Sequence, residues 1–182
     1  RIGAFRWAEG RWSIASAGEP LGGDIRSWYV QLLDADFREA SPWIPVGPSR
    51  AVRIDLARFT TGDRWIAARD DGDAILFTPF SGRGADPEIG GIADGPRSTL
   101  GAVGMRSRAV VLAGTSTDDA GSNELVVIGA PPSYATLGRA SLETRYAYHA
   151  AIGALRDDVI AVGIEAREAR VEAFDPFAMR VR

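Results

Sequence analysis

The sequence predicts an all-β chain of four blade-like repeats, each about 45–50 residues long, and three observations carry that reading. Short runs that alternate apolar with polar side chains, or are apolar throughout, recur along all 182 residues between turns rich in Gly, Pro and Asp. The third run of each repeat begins near Tyr29, Ala74, Leu125 and Ala169, at spacings of 45, 51 and 44 residues. Each repeat holds three or four such runs, and a period of roughly 40–50 residues with that content is the sequence mark of a β-propeller. A single twisted four-stranded sheet exposes two apolar faces, and radial packing of like sheets buries both.

The stretch 52–80 shows the unit most clearly. Val52-Arg53-Ile54-Asp55-Leu56 alternates at period two, Thr60-Thr61-Gly62-Asp63 is turn chemistry, and Arg64-Trp65-Ile66-Ala67-Ala68 is a short buried strand. Asp70-Asp71-Gly72-Asp73 closes a hairpin, because Gly accepts the positive φ of a tight turn, and Ala74 to Thr78 returns. A turn at 81–84 leads to a fourth run at Ile89-Gly90-Gly91-Ile92. In the first repeat, Ile2 to Trp7, Arg11 to Ala15 and Ser27 to Leu33 are strands, and Pro42 to Val46 is an edge strand, where prolines do no harm to a ladder.

The third repeat offers Leu100 to Met105, Ala109 to Ala113 and Leu125 to Ile128, with a long polar loop expected over Thr115 to Asn123. The fourth offers Ala147 to Leu155, Val159 to Ile164, Ala169 to Phe174 and Ala178 to Val181. These make units of about 1–47, 48–96, 97–145 and 146–182 within one domain. Two alternatives compete. A β-sandwich also shows many short strands, and Leu142, Tyr146, His149 and Ile152 fall near helical spacing, so a helix over 138–152 would make the fold α+β.

Composition narrows the function. The 21 basic residues, all Arg, against 24 acidic ones leave a net charge of −3, which disfavours nucleic acid and anionic membranes as partners. With no Cys there are no disulfides, thiolate metal sites or cysteine nucleophiles, and no apolar run approaches the roughly 20 residues of a membrane span. The first residue is Arg1 rather than Met, which reads as a removed leader, tag or preceding domain, or as a fragment of a longer protein.

Gly62-Asp63-Arg64-Trp65, the hairpin at Asp71-Gly72 and the return through Phe80 together resemble the degenerate blades of bacterial secreted β-propellers. That resemblance implies a propeller scaffold outside the cell or at its surface. The WD-repeat signature is absent, and 60–65 lacks the Ser-x-Asp-x-Gly-x-x-Trp spacing of a sialidase blade.

Candidate chemistry is sparse. The only histidine, His149, lies beside two tyrosines, with no Gly-x-Ser-x-Gly elbow to supply a nucleophile and no Lys for a phosphate loop. No catalytic residue is assigned. Asp70, Asp71 and Asp73 are a candidate calcium loop, with plain hairpin chemistry the competing reading, and calcium is the one cofactor considered. Trp12 and Trp65, at matching positions of second strands, are expected in the core between sheets. Trp28, Tyr29 and Trp43 are expected to form an exposed contact patch, since large aromatics also dominate recognition surfaces.

The expected function is a non-enzymatic binding or assembly module that contacts a protein or glycan. The alternatives are a propeller-fold hydrolase acting on glycans and a structural component of a larger surface or particle assembly. An open arc of four units leaves an apolar face at each end, so either 2–7 closes onto 169–181 or another chain or domain covers those faces.

Overall fold

The computed structural model describes residues 2–8, 10–17, 27–48, 53–60, 62–70, 74–93, 99–115, 121–144, 149–156, 159–165 and 170–181. They form four separate antiparallel sheets in chain order. The first holds β1 (Ile2–Ala8), β2 (Arg11–Ala17), β3 (Ser27–Leu33) and β4 (Ile44–Pro48). The second holds β5 (Arg53–Phe59), β6 (Arg64–Asp70), β7 (Ala74–Ser81), the two-residue β8 (Gly84–Ala85) and β9 (Ile89–Ala93). In the third are β10 (Thr99–Gly104), β11 (Arg108–Thr115), β12 (Gly121–Gly129) and β13 (Thr136–Thr144), and in the fourth β14 (His149–Arg156), β15 (Val159–Glu165), β16 (Arg170–Asp175) and β17 (Arg180–Val181).

Each sheet is a meander of neighbours in sequence, which short turns make inevitable. Only the second departs from a plain four-strand order: β7 pairs β8 at its end and β9 along its beginning. The segment between them crosses at Pro79, whose carbonyl accepts the Asp86 N–H at 2.8 Å.

The sheets pack side by side through their first strands. β1 lies against β5, β5 against β10, and β10 against β14. Strands that are apolar on both faces let a middle sheet serve two neighbours at once. Trp28, Val30 and Leu32 of β3 and Ile44 and Val46 around β4 meet Leu56, Trp65 and Phe80 of the second sheet. On the second sheet's other face Phe59, Ile66 and Phe77 meet Ala102, Ala109, Val111 and Ala113 of the third. Trp65 is fully buried, as expected of an inter-sheet core residue.

Close approach of first strands needs a residue without a side chain. A β-carbon at Gly104 would lie 1.5 Å from the Arg58 carbonyl oxygen, so only Gly lets β10 pass β5 there. The Thr60 N–H then bonds the Met105 carbonyl across the sheet boundary at 3.1 Å.

One carboxylate joins three first strands. Asp55 in β5, itself buried, accepts Arg6 Nε of β1 at 2.7 Å and Arg6 Nη2 at 2.5 Å. It also accepts the Ala102 N–H of β10 at 2.8 Å and the Leu56 N–H at 2.9 Å. The bond to Asp55 raises the Arg6 guanidinium above its ordinary value, against partial burial, which lowers it.

Two expectations are corrected. The described part of 138–152 is strand and not helix: it is the end of β13 and the start of β14. The loop expected over Thr115 to Asn123 is shorter, because β11 runs to Thr115 and β12 begins at Gly121. Of the two ways the end faces were expected to be covered, contact of 2–7 with 169–181 is not the one seen: among the described residues the first and fourth sheets make no extended contact. Residues 116–120 and 157–158 lie outside the described residues.

Two stability outcomes are expected. Trp65→Ala empties an indole-sized volume between the first two sheets and should cost about 3–5 kcal/mol in chemical denaturation. Asp55→Ala strands the buried Ala102 N–H and should cost about 2–4 kcal/mol. Arg6→Ala should cost less, because the Arg6 side chain is 48% exposed and water replaces part of what it loses.

Candidate functional site

An open cleft of about 430 Å³ lies between the second and third sheets. Its walls are apolar and rigid: Pro79, Pro87 and Ile89 on one side, Pro131 and Pro132 on the other. Proline supplies fixed apolar surface without a backbone donor. Arg64, Asp86, Glu88, Ser133 and Tyr134 supply the polar groups.

The 86–88 segment is tied down from both ends by arginines of β6. Arg64 Nη1 donates to Asp86 Oδ2 at 2.9 Å, and both side chains stay partly exposed. Arg69, fully buried, donates Nη2 to Glu88 and Nη1 to the Pro48 carbonyl at 3.2 Å. Its guanidinium lies across Gly47, where a β-carbon would come within 2.5 Å of it. The Thr78 hydroxyl completes this seam by donating to the Val46 carbonyl at 3.0 Å.

Tyr134 forms the floor. It follows Pro131-Pro132-Ser133 with φ of 45°, a conformation that aromatic residues rarely take, and its N–H bonds the Ala130 carbonyl at 3.3 Å. The ring packs on Phe59 with centroids 5.9 Å apart, and the hydroxyl points at Asp86 Oδ2 from 3.5 Å. Burial pushes the phenol above its ordinary value; Arg64 opposes that and Asp86 adds to it.

These interactions limit what the cleft can do. Asp86 and Glu88 both accept from arginines, and the phenol stays protonated at neutral pH. A glycan hydrolase needs a pair of carboxylates free to exchange a proton and to attack or activate water, and nothing in this geometry favours that arrangement. The cleft instead presents apolar plates around an acceptor-rich floor.

The sequence-predicted aromatic patch is only partly assembled. Trp28 is 1% exposed and packs toward the second sheet, so its place in an exposed patch is corrected: it is core. Tyr29, next in the strand, faces the other way and is half-buried, as is Trp43 just before β4. None of the three lines the cleft. Trp12 is also half-buried, not interior, and stacks on Phe37 at 5.0 Å.

Of the calcium candidates, Asp70 is buried at the end of β6, while Asp71 and Asp73 lie outside the described residues. Among the described residues no three His, Cys, Asp or Glu side chains are grouped to hold a metal ion. His149 begins β14, its backbone opposite Glu165.

Sequence reasoning missed Arg64, Asp86, Glu88 and Tyr134 as a group. Tyr134 and Asp86 are 48 residues apart, and no spacing rule links them. The one available signal was Pro131-Pro132-Ser133-Tyr134, where two prolines and an aromatic stand together in a turn.

Comparison with known proteins adds the architecture. No family model and no curated protein matches the chain. A solved structure described as that of the Dos1 propeller superposes on 97% of it with a TM-score of 0.57 and 12% sequence identity. The fold is that of a β-propeller. The match covers 45% of the other chain, so the present chain spans less than half of that propeller's length. At this identity the likeness concerns the fold alone, and the sheets described above are its blades.

The burial of Tyr134 has a spectroscopic consequence. Its phenol should ionise above the ordinary value of about 10 in an ultraviolet pH titration. Because the folded-state value is raised, the stability tied to this group is complete below the unfolded value and is lost as pH climbs through the folded one. A Tyr134→Phe chain should therefore lose that step and show a flatter alkaline stability profile.

Proposed function

We propose that the chain is a non-enzymatic binding module, and that the cleft between the second and third blades is where it holds a protein segment or a glycan. The observation that supports this most is the construction of the cleft. Five rigid apolar side chains frame a floor of two carboxylates and a phenol, all fixed in place by arginines and core packing. Preorganised walls reduce the ordering cost of binding, which is what a recognition site needs.

The floor also favours a kind of ligand. Carboxylates accept hydrogen bonds, and Asp86 and Glu88 keep lone pairs beyond those their arginines use. A ligand rich in donors, such as an arginine-bearing peptide or a sugar with several hydroxyls, matches that surface. Pyranose faces and aliphatic side chains both suit proline and isoleucine walls.

The test uses the intact chain on glycan and peptide arrays, with any hit measured by calorimetry. Ser133→Trp should fill the cleft mouth from an exposed loop position, leave the melting temperature unchanged and weaken the hit at least tenfold. Trp43→Ala should leave affinity within about twofold. Loss with Trp43→Ala but not with Ser133→Trp would move the site to the first blade; absence of any saturable hit on either array would overturn the reading.

A further inference from the structure

The last strand of each sheet lies at an edge, and in three of the four sheets that strand is short or interrupted. β4 carries Pro45 and Pro48 within five residues, and proline offers a ladder no donor. β9 is five residues long with Gly90 and Gly91 inside it, and Arg139 Nη2 donates to the Gly91 carbonyl at 3.4 Å. β17 is two residues long.

The edge of the third sheet is different. β13 runs nine residues without a proline, and β12 is its one ladder partner among the described residues. Leu137 is an extra residue near its start, where the register shifts, and from Gly138 to Thr144 the pairing with 121–127 is unbroken. Alternate residues of an antiparallel ladder turn both backbone groups to the partner, so the others along 138–144 turn theirs outward, ready to pair with a further strand.

This edge leads into the cleft. The 131–134 turn that forms one wall and the floor stands directly before Thr136, the first residue of β13, and Ile89 of β9 lines the opposite wall. Arg139, exposed on β13, reaches the Gly91 carbonyl of the second blade, so its face of the strand is the cleft side. The other face belongs to the fourth blade: a β-carbon on Gly138 would lie 2.7 Å from Met179, and Ala140 packs on the core that holds Phe174. A chain laid along the edge therefore continues into the cleft at one end. An extended peptide repeats a donor and an acceptor every two residues, about 6.8 Å, which is the spacing of the outward groups of β13; a glycan has no such repeat.

We propose, resting on the reading of the cleft as a recognition site, that its occupant is an extended segment of another protein, which adds an outer strand to the third blade along 138–144 and lays one end between the proline walls. Main-chain pairing supplies affinity along the edge, and the cleft supplies choice at the end. Asp86 and Glu88 suit a side chain that carries several donors, such as arginine, and Pro87 and Ile89 suit its aliphatic stem. The paired part of the segment is free of proline, since proline cannot donate to β13.

The probe is the strongest binder from an array of random-sequence peptides, resynthesised and titrated into the intact chain. N-methylation of its backbone at alternate residues should weaken binding at least tenfold in one register and under about threefold in the other. At saturation, hydrogen exchange should slow at least tenfold at alternate amides of 138–144, and Ser133→Trp should weaken the same peptide at least tenfold. A peptide that Ser133→Trp displaces but that leaves exchange over 138–144 unchanged, or that tolerates N-methylation in both registers, would overturn strand addition and leave the cleft as a recognition site. Saturable binding of glycans alone would do the same. Protection over 138–144 with no effect of Ser133→Trp would separate the edge from the cleft and overturn the continuous site, and the absence of any saturable hit would overturn strand addition and the cleft reading together.

Discussion

The arrangement of the blades depends on a single buried carboxylate. Asp55 sits on the middle of three neighbouring first strands and takes hydrogen bonds from its own strand, from Arg6 on one side and from the Ala102 backbone on the other. Apolar contact between sheets has no direction, and single bonds such as those of Thr78 to Val46 and Thr60 to Met105 each join only two sheets. A charged acceptor with four donors has a direction and joins three. It fixes how far β1, β5 and β10 are offset along their length, and Gly104 then fixes how closely β10 approaches β5.

That role inverts the sequence pattern that hides it. Alternation through Ile54-Asp55-Leu56 normally places the polar residue in water and its neighbours in a core. A blade between two others has no watery face, so Asp55 turns into the seam with the third blade while Ile54 and Leu56 meet the first. The same circumstance explains why the β-runs themselves were legible. Strands buried on both sides read as near-continuous apolar stretches, as in Ala109 to Ala113 and Leu125 to Ile128, and the turns between them carry Gly and Asp. The fourth strand of the third blade was not legible: β13 reads Thr-Leu-Gly-Arg-Ala-Ser-Leu-Glu-Thr, a polar edge strand whose ladder partner, not its own sequence, holds it extended.

The site was less visible than the fold, for a reason built into the architecture. Blade repeats are set by local pairing, and local pairing leaves a periodic trace. A cleft between blades is set by which loop tips meet, and its chemistry comes from residues far apart in the chain. Tyr134 gains its place from Phe59 below and Asp86 beside it, neither of which its own sequence neighbourhood predicts. Trp28 shows the converse error. Its position next to a loop suggests exposure, but its parity along β3 is that of Val30 and Leu32, and parity decides the face.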